Sequence, residues 1–342
     1  MMCKDPHQAR DTRPLLLVPL GLLLFALSTA HSSAEAPNEK VWAAQFGGEK
    51  LETTIDLSVD ELGNTFILGT TKSNLTPEVQ GKTILDDYFL TKIDPEGKVL
   101  WTRQIPGHGT ACSAITVDVS GNVFVAGNTS ENMHGQQKID RIGKDAFVIM
   151  FDKEGKLGWT RLFGGFMDDT PTDLACDRLG DIWVTGTTHH LVEKSKGSND
   201  CFLVKIDRGG KIVWKRQFGT DQDETSQAIA IDPLGNCYVT GITKGDLFGK
   251  NAGQNQGAKD GYMEGYVARF DLGGRLFWGK QFKDRFQGRV SAIGLDKTGN
   301  VYVAGEGMVP VVFGGRELPR RNSTLTKLNA AGQVQWTKGY GG

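Results

Sequence analysis

Cysteine is scarce in this chain: five residues in 342, with no two adjacent. The positions Cys3, Cys112, Cys176, Cys201 and Cys237 match no metal or redox spacing. The last four fall inside strand-like segments, where free cysteines are usually small buried apolar residues. A dominant charge is also missing, because 39 Lys+Arg face 40 Asp+Glu. A balanced chain has no electrostatic reason to seek nucleic acid or an anionic membrane. Beyond residue 27 there is no further long apolar run, so no stable membrane insertion is expected once a leader is removed. No phosphate loop, dinucleotide fingerprint or nucleophile motif occurs.

The first residues have the layout of an export signal. Lys4, Arg10 and Arg13 precede an apolar run from Leu15 to Leu27, interrupted by Pro19 and Gly21. Small residues follow at Ser28-Thr29-Ala30 and Ser32-Ser33-Ala34, as at a cleavage site. The expected organisation is a leader with a short segment over 1–36, then one repeat domain over 37–342. The expected location is secreted, periplasmic or cell surface.

What is abundant is repetition. Tryptophans at 42, 101, 159, 214, 278 and 336 are spaced by 59, 58, 55, 64 and 58 residues. An Asp-x-x-Gly-Asn motif recurs at Asp60–Asn64, Asp118–Asn122, Asp232–Asn236 and Asp296–Asn300, with Asp181 in place of Asn in Asp177–Asp181. Such a period marks a repeat architecture in which units share one core. Each unit reads as four strands. The first is short and small-residue-rich and ends at the motif Asp. The second carries an aromatic at Phe66, Phe124, Trp183, Tyr238 or Tyr302 and ends at glycine. The third runs to an Asp or Asn, and the fourth carries the repeat tryptophan. Glycine in the motif supplies the positive φ of a tight hairpin, and Asp or Asn closes it with side-chain hydrogen bonds.

Four antiparallel strands per unit make an all-β propeller, with five blades favoured. The combination W-x-x-x-F-G-G, V-D-x-x-G-N-V-Y-V-x-G and D-A-F-V-x-K-x-D-x-x-G resembles the SBBP repeat, a bacterial β-propeller repeat, over about residues 41–342. That resemblance implies a propeller, and its family name refers to seven blades, whereas this chain has five full units and a sixth tryptophan strand. The strands around Trp42 and Trp336 are copies of one fourth strand. Five blades need one of them, which leaves a redundant strand at the seam. The alternative is a six-position ring left open or completed by a second chain.

Tight turns fall on one face of such a fold, and the connections at roughly 70–86, 128–144, 187–199, 242–264 and 306–322 fall on the other. Insertions on one face of a repeat protein often form the binding face. Acids gather in the links between units there: Asp168, Asp169 and Asp173 before the third motif, and Asp221, Asp223 and Glu224 before the fourth. Glu52, Asp169 and Glu224 each stand eight residues before a motif Asp. Oxygen ligands of this kind suit a hard cation such as calcium, which makes Asp168, Asp169, Asp223 and Glu224 candidate metal ligands, with Glu52, Asp173 and Asp221 as candidates on the ligand face. The plainer alternative is solvated or backbone-capping loop acids. His189-His190 lacks a third ligand, Lys194, Ser195 and Lys196 form no nucleophile motif, and 253–265 reads as a Gly-rich loop. Glycosylation sequons stand at Asn74, Asn128 and Asn322.

The function expected from these residues is non-enzymatic: an exported propeller presenting loops to a protein or glycan, with no catalytic residues and no cofactor other than calcium. The alternative is a propeller enzyme. The tryptophan strands are similar to those of pyrroloquinoline-quinone dehydrogenases, but those have a shorter repeat, more blades and a vicinal Cys pair. A glycan hydrolase or lyase would need paired acids across the axis.

Overall fold

The structure, a computed structural model, describes residues 43–77, 86–139, 142–192, 197–248, 263–282, 289–313 and 316–340. Contacts divide the chain into Met1–Val41 and Trp42–Gly342, and all the described residues belong to the second unit. Among the described residues twenty strands form five four-stranded antiparallel sheets, each built in chain order. Blade 1 holds β1–β4 (Glu52–Val59, Thr65–Thr71, Asp87–Ile93, Val99–Ile105) and blade 2 holds β5–β8 (Thr110–Val117, Val123–Thr129, Asp145–Phe151, Leu157–Phe163). Blade 3 holds β9–β12 (Asp169–Cys176, Ile182–Thr188, Asp200–Ile206, Ile212–Phe218) and blade 4 holds β13–β16 (Glu224–Ile231, Cys237–Thr243, Glu264–Phe270, Leu276–Gln281). Blade 5 holds β17–β20 (Arg289–Leu295, Val301–Phe313, Arg316–Leu328, Val334–Tyr340). The fold is the expected all-β propeller with five blades.

The motif aspartates act as turn-closers. Asp60 Oδ1 accepts from the Leu62 and Asn64 amides at 3.0 and 2.8 Å, and its Oδ2 accepts from Asn64 Nδ2 at 2.7 Å. Blade 3 replaces that Asn with Asp181, which would set two carboxylates against each other. Lys205 resolves the conflict, with Nζ 3.2 Å from Asp177 Oδ2 and 3.0 Å from Asp181 Oδ2. A buried lysine is stable only with such partners.

Three of the repeat tryptophans tie their blade to the next through the indole N–H. Trp101 Nε1 donates to the Lys153 carbonyl at 3.1 Å, Trp159 to Arg208 at 3.1 Å and Trp278 to Ala330 at 3.1 Å. The turn beneath must be glycine for two reasons. Gly155 and Gly210 have φ of +76° and +84°, and a Cβ there would lie 2.8 and 2.7 Å from the indole. Packing explains the registered aromatics: Phe66 and Leu68 of blade 1 meet Val123, Val125 and Ile149 of blade 2. Phe124 and Val148 meet Ile182, Val184 and Val204 in the same way, and Tyr238 and Val267 meet Val301 and Val303. One face of every blade thus buries aromatics and the other buries β-branched residues.

The ends of the array depart from this rule. Inner strands pack in succession, β1 on β5, β5 on β9, β9 on β13 and β13 on β17. Among the described residues β17 makes no matching contact with β1. Among the described residues, 43–46 join no sheet, while β20 completes blade 5; Trp42 lies outside the described residues. The expected loop over 306–322 is corrected to a hairpin: β18 and β19 stay in register from Gly307↔Asn322 to Phe313↔Arg316. The apolar, β-branched run Met308–Phe313 has strand propensity of its own, which loop length alone concealed.

Candidate functional site

Three of the inner strands, β1, β9 and β13, are entered through an acid-threonine contact. Asp169 and Glu224 are fully buried at the starts of β9 and β13. Thr188 Oγ1 donates to Asp169 Oδ1, and the Gly165 amide donates to Asp169 Oδ2 at 2.8 Å. Thr243 Oγ1 donates to Glu224 Oε1 at 2.7 Å, and Thr220 donates to the same carboxylate through its amide and its hydroxyl at 2.6 and 2.7 Å. Glu52 repeats the contact with Thr71 at 3.0 Å, and blade 2 substitutes a Thr110–Thr129 hydroxyl pair at 3.1 Å. Burial pushes the Asp169 carboxyl up to about 6 and raises that of Glu224.

The proposed cation ligands are thereby divided between two junctions, each with protein partners. Asp168 is exposed and accepts from the Lys144 amide at 2.9 Å. Asp223 pairs with Lys244 Nζ at 2.8 Å, a hydrogen bond that holds its carboxyl below the ordinary range. Asp221 is exposed. Among the described residues no three His, Cys, Asp or Glu are grouped to hold a metal ion. Lys194, Ser195, Lys196 and most of 253–265 lie outside the described residues. Cys112, Cys176, Cys201 and Cys237 are free thiols. The sequon residue Asn128 is buried and donates to Thr170 Oγ1 at 3.1 Å, so it is not presented for modification.

Asp173 has a different environment from its neighbours in sequence. It stands on β9, and its counterpart on β1 is Asp56, four residues before each motif Asp. Inner strands pair on one side only, so their other edge carries free amides. Asp173 caps its own Leu174 amide at 2.8 Å and reaches across to Ile229 of blade 4 at 2.9 Å. Asp56 caps Leu57 at 2.8 Å and Ile115 of blade 2 at 2.9 Å. Blades 2, 4 and 5 carry Ala114, Ala228 and Ala292 at this position. Burial, and secondarily the charge of Asp56, pushes Asp173 up to about 7.

The loop-bearing face also exposes apolar side chains at the junction of blades 2 and 3. Phe166 and Met167 are 50 % and 41 % exposed in the link, with Ile142 and Val192 exposed in the flanking loops. Backbone contacts bring these segments together. The Phe166 amide donates to the His190 carbonyl at 3.3 Å, the Asp169 amide donates to the Lys144 carbonyl at 2.8 Å, and the Phe166 ring meets that of His190 edge-on. Met167 has a φ of 72°, in a region that L side chains other than Asn and Asp rarely adopt. An L residue held there stores backbone strain. The apolar tip was missed in the sequence because Phe166-Met167 replaces no repeat landmark.

A curated relative, Regulatory protein FlaEY of Caulobacter vibrioides, is 27 % identical over 252 residues, covering 67 % of this chain. The chain spans 26 % of that relative's length. Similar solved structures include a protein of unknown function from Bacteroides caccae, with a TM-score of 0.47, 13 % identity, and 85 % and 83 % of the two chains covered. The Pan2 WD40 domain of Neurospora crassa has a TM-score of 0.46, 11 % identity, and 84 % and 66 % covered. The family model of the SBBP beta-propeller repeat matches residues 100–132 and 213–249, segments that run from β4 through β6 and from β12 through β14.

Proposed function

We propose that this protein is an exported, non-enzymatic binding module whose protein or glycan partner docks on the loop-bearing face at the junction of blades 2 and 3. The observation that carries the reading is the exposed pair Phe166 and Met167 on a strained link, with Ile142 and Val192 beside it. Exposed apolar groups gathered on one surface mark interaction sites, and aromatic anchors supply most of an interface's energy. Export rests on the leader-like segment ending near Ala34. An acid at about 7 has the proton affinity that general acid-base catalysis uses. Asp173 spends both oxygens on the Leu174 and Ile229 amides, which supports a structural role instead. The relative named as a regulatory protein is in keeping with binding.

The test is a screen of glycans and exported proteins with wild type and Phe166→Ser/Met167→Gly. Binding by wild type that the variant loses, at an unchanged melting temperature, is the expected result. A variant that retains every interaction places the partner elsewhere.

A further inference from the structure

The link that carries Phe166 and Met167 is anchored by two acids in one dry site. Asp145 at the start of β7 and Asp169 at the start of β9 are both fully buried. A Cβ on Gly164 would lie 2.7 Å from Asp169 Oδ2 and 2.8 Å from Asp145 Oδ1, so the two carboxyls flank the same glycine. Neighbouring buried carboxylates cannot both ionise without cost. Lys215 on β12 is the cation whose charge reaches Asp169, and its Nζ stands 3.5 Å from the Leu191 carbonyl. The link and its flanking loops also carry Lys144, Asp168, His189 and His190.

Each acid holds one side of the exposed tip. Asp145 Oδ2 accepts from the Ile139 amide, in the loop that leads to Ile142. Asp169 Oδ2 accepts from the Gly165 amide, one residue before Phe166. Asp169 Oδ1 accepts from the Thr188 hydroxyl, whose oxygen in turn accepts from the His190 amide at 2.9 Å. The His190 carbonyl then accepts from the Phe166 amide at 3.3 Å. Hydrogen bonds thus run from the acid pair to both flanks of the tip.

We infer that Asp145 and Asp169 form a proton-operated latch: one proton held by the pair keeps the link into β9 closed, and its loss to solvent water loosens the Phe166–Met167 tip. With the proton in place the pair carries one charge. Once it leaves, two buried charges face each other, and admitting water beside Gly164 relieves them. Burial pushes the Asp169 carboxyl up to about 6, the Thr188 and Gly165 hydrogen bonds pull it back, and the charge of Asp145 pushes it up again. A raised value means that the closed link binds the proton more tightly than the open one. The latch is therefore closed below about 6 and releases as pH rises through that value. The junction of blades 1 and 2 is built differently, with the Thr110–Thr129 hydroxyl pair in place of the second acid. Control of docking by the latch rests on the reading of this tip as the partner's site, whereas the latch itself does not.

Hydrogen–deuterium exchange of the full chain at pH 5 and pH 8 tests the latch without any partner, each rate being divided by the intrinsic rate at that pH. Protection of the Gly165, Phe166 and Asp169 amides is expected to fall by about tenfold at pH 8. The Thr110 amide, bonded to the Gly107 carbonyl at 3.0 Å, should keep its protection. Asp169→Asn is neutral at both pH values and should hold the link equally at both. Asp145→Asn removes the facing charge and should shrink the fall. Equal wild-type protection at pH 5 and pH 8 would overturn the inference, as would a fall that either variant reproduces in full.

Discussion

Tyr238 of blade 4 and Tyr302 of blade 5 are one residue type in one repeat position. Each hydroxyl donates to its motif carboxylate, Asp232 at 3.3 Å and Asp296 at 3.2 Å. Each ring meets its blade's tryptophan edge-on, at 6.1 Å for Trp278 and 6.2 Å for Trp336. Yet Tyr238 is 1 % exposed and Tyr302 is half-buried. Geometry within a blade is thus set by the blade's own sequence, while burial is conferred by the next blade. In a quasi-one-dimensional array, stability divides into intrinsic and interface terms, and this pair separates them.

The largest expected effect is at this pair. Tyr238→Ala opens a cavity in a closed junction and should cost about 3–5 kcal/mol in urea unfolding, the range for a buried large aromatic. Tyr302→Ala removes the same contacts within the blade without the interface and should cost about 1–2 kcal/mol. Equal losses would show that blade 5 is covered as fully as blade 4.

A smaller contrast concerns the acids at the blade entrances. Asp169→Ala leaves the Thr188 hydroxyl and the Gly165 amide without their acceptor in a dry site, at a cost of about 1–3 kcal/mol. Glu52→Ala removes the matching contact with Thr71 at the half-buried entrance to blade 1, where water can replace it, and should cost less than about 1 kcal/mol. Thermal melts of the two variants in parallel check this. A Glu52 variant as damaged as the Asp169 variant would make the entrances equivalent.

The features legible in the sequence were those repeated within a unit. Trp101, Trp159 and their fellows, the Asp-x-x-Gly turns and the aromatic second strands each satisfy a local demand, so spacing alone revealed them. The equivalence of Glu52, Asp169 and Glu224 was also legible from their spacing to the motif Asp, but the role was not. Loop acids read as ligands until Thr71, Thr188 and Thr243, nineteen residues on in each case, are found against them. The bridging role of Asp56 was hidden for a related reason. Its partner, the Ile115 amide, lies on another blade 59 residues away. Nothing in β1 signals which amide across the junction needs an acceptor. The β18–β19 hairpin was masked by its length, since four other units place loops there.

The last expected effect is on pH dependence, and it sharpens the comparison between blades that carry Asp and blades that carry Ala on the inner edge. Asp173 rises from an ordinary value of 3.8 to about 7 on folding, chiefly through burial and then through the charge of Asp56. A carboxyl whose affinity for protons is greater in the folded state stabilises the fold while it is protonated. Between about pH 4 and 7 the native chain holds more protons than the unfolded one, so stability falls as pH rises through that window. Asp56 and Asp169 shift in the same direction and add to the slope. Asp173 is half-buried, so solvent screens its carboxylate in part, and about 1–2 kcal/mol lost between pH 5 and 8 is expected from it. Asp173→Ala installs the residue that blades 2, 4 and 5 already use. It should lower stability at pH 5, where the Ile229 amide loses its acceptor, and should flatten the fall toward pH 8. Urea midpoints at four pH values for wild type and variant measure both slopes. Parallel curves would show that the Asp173 carboxyl does not titrate in this window, and would return the pH dependence to Asp169 and Asp56.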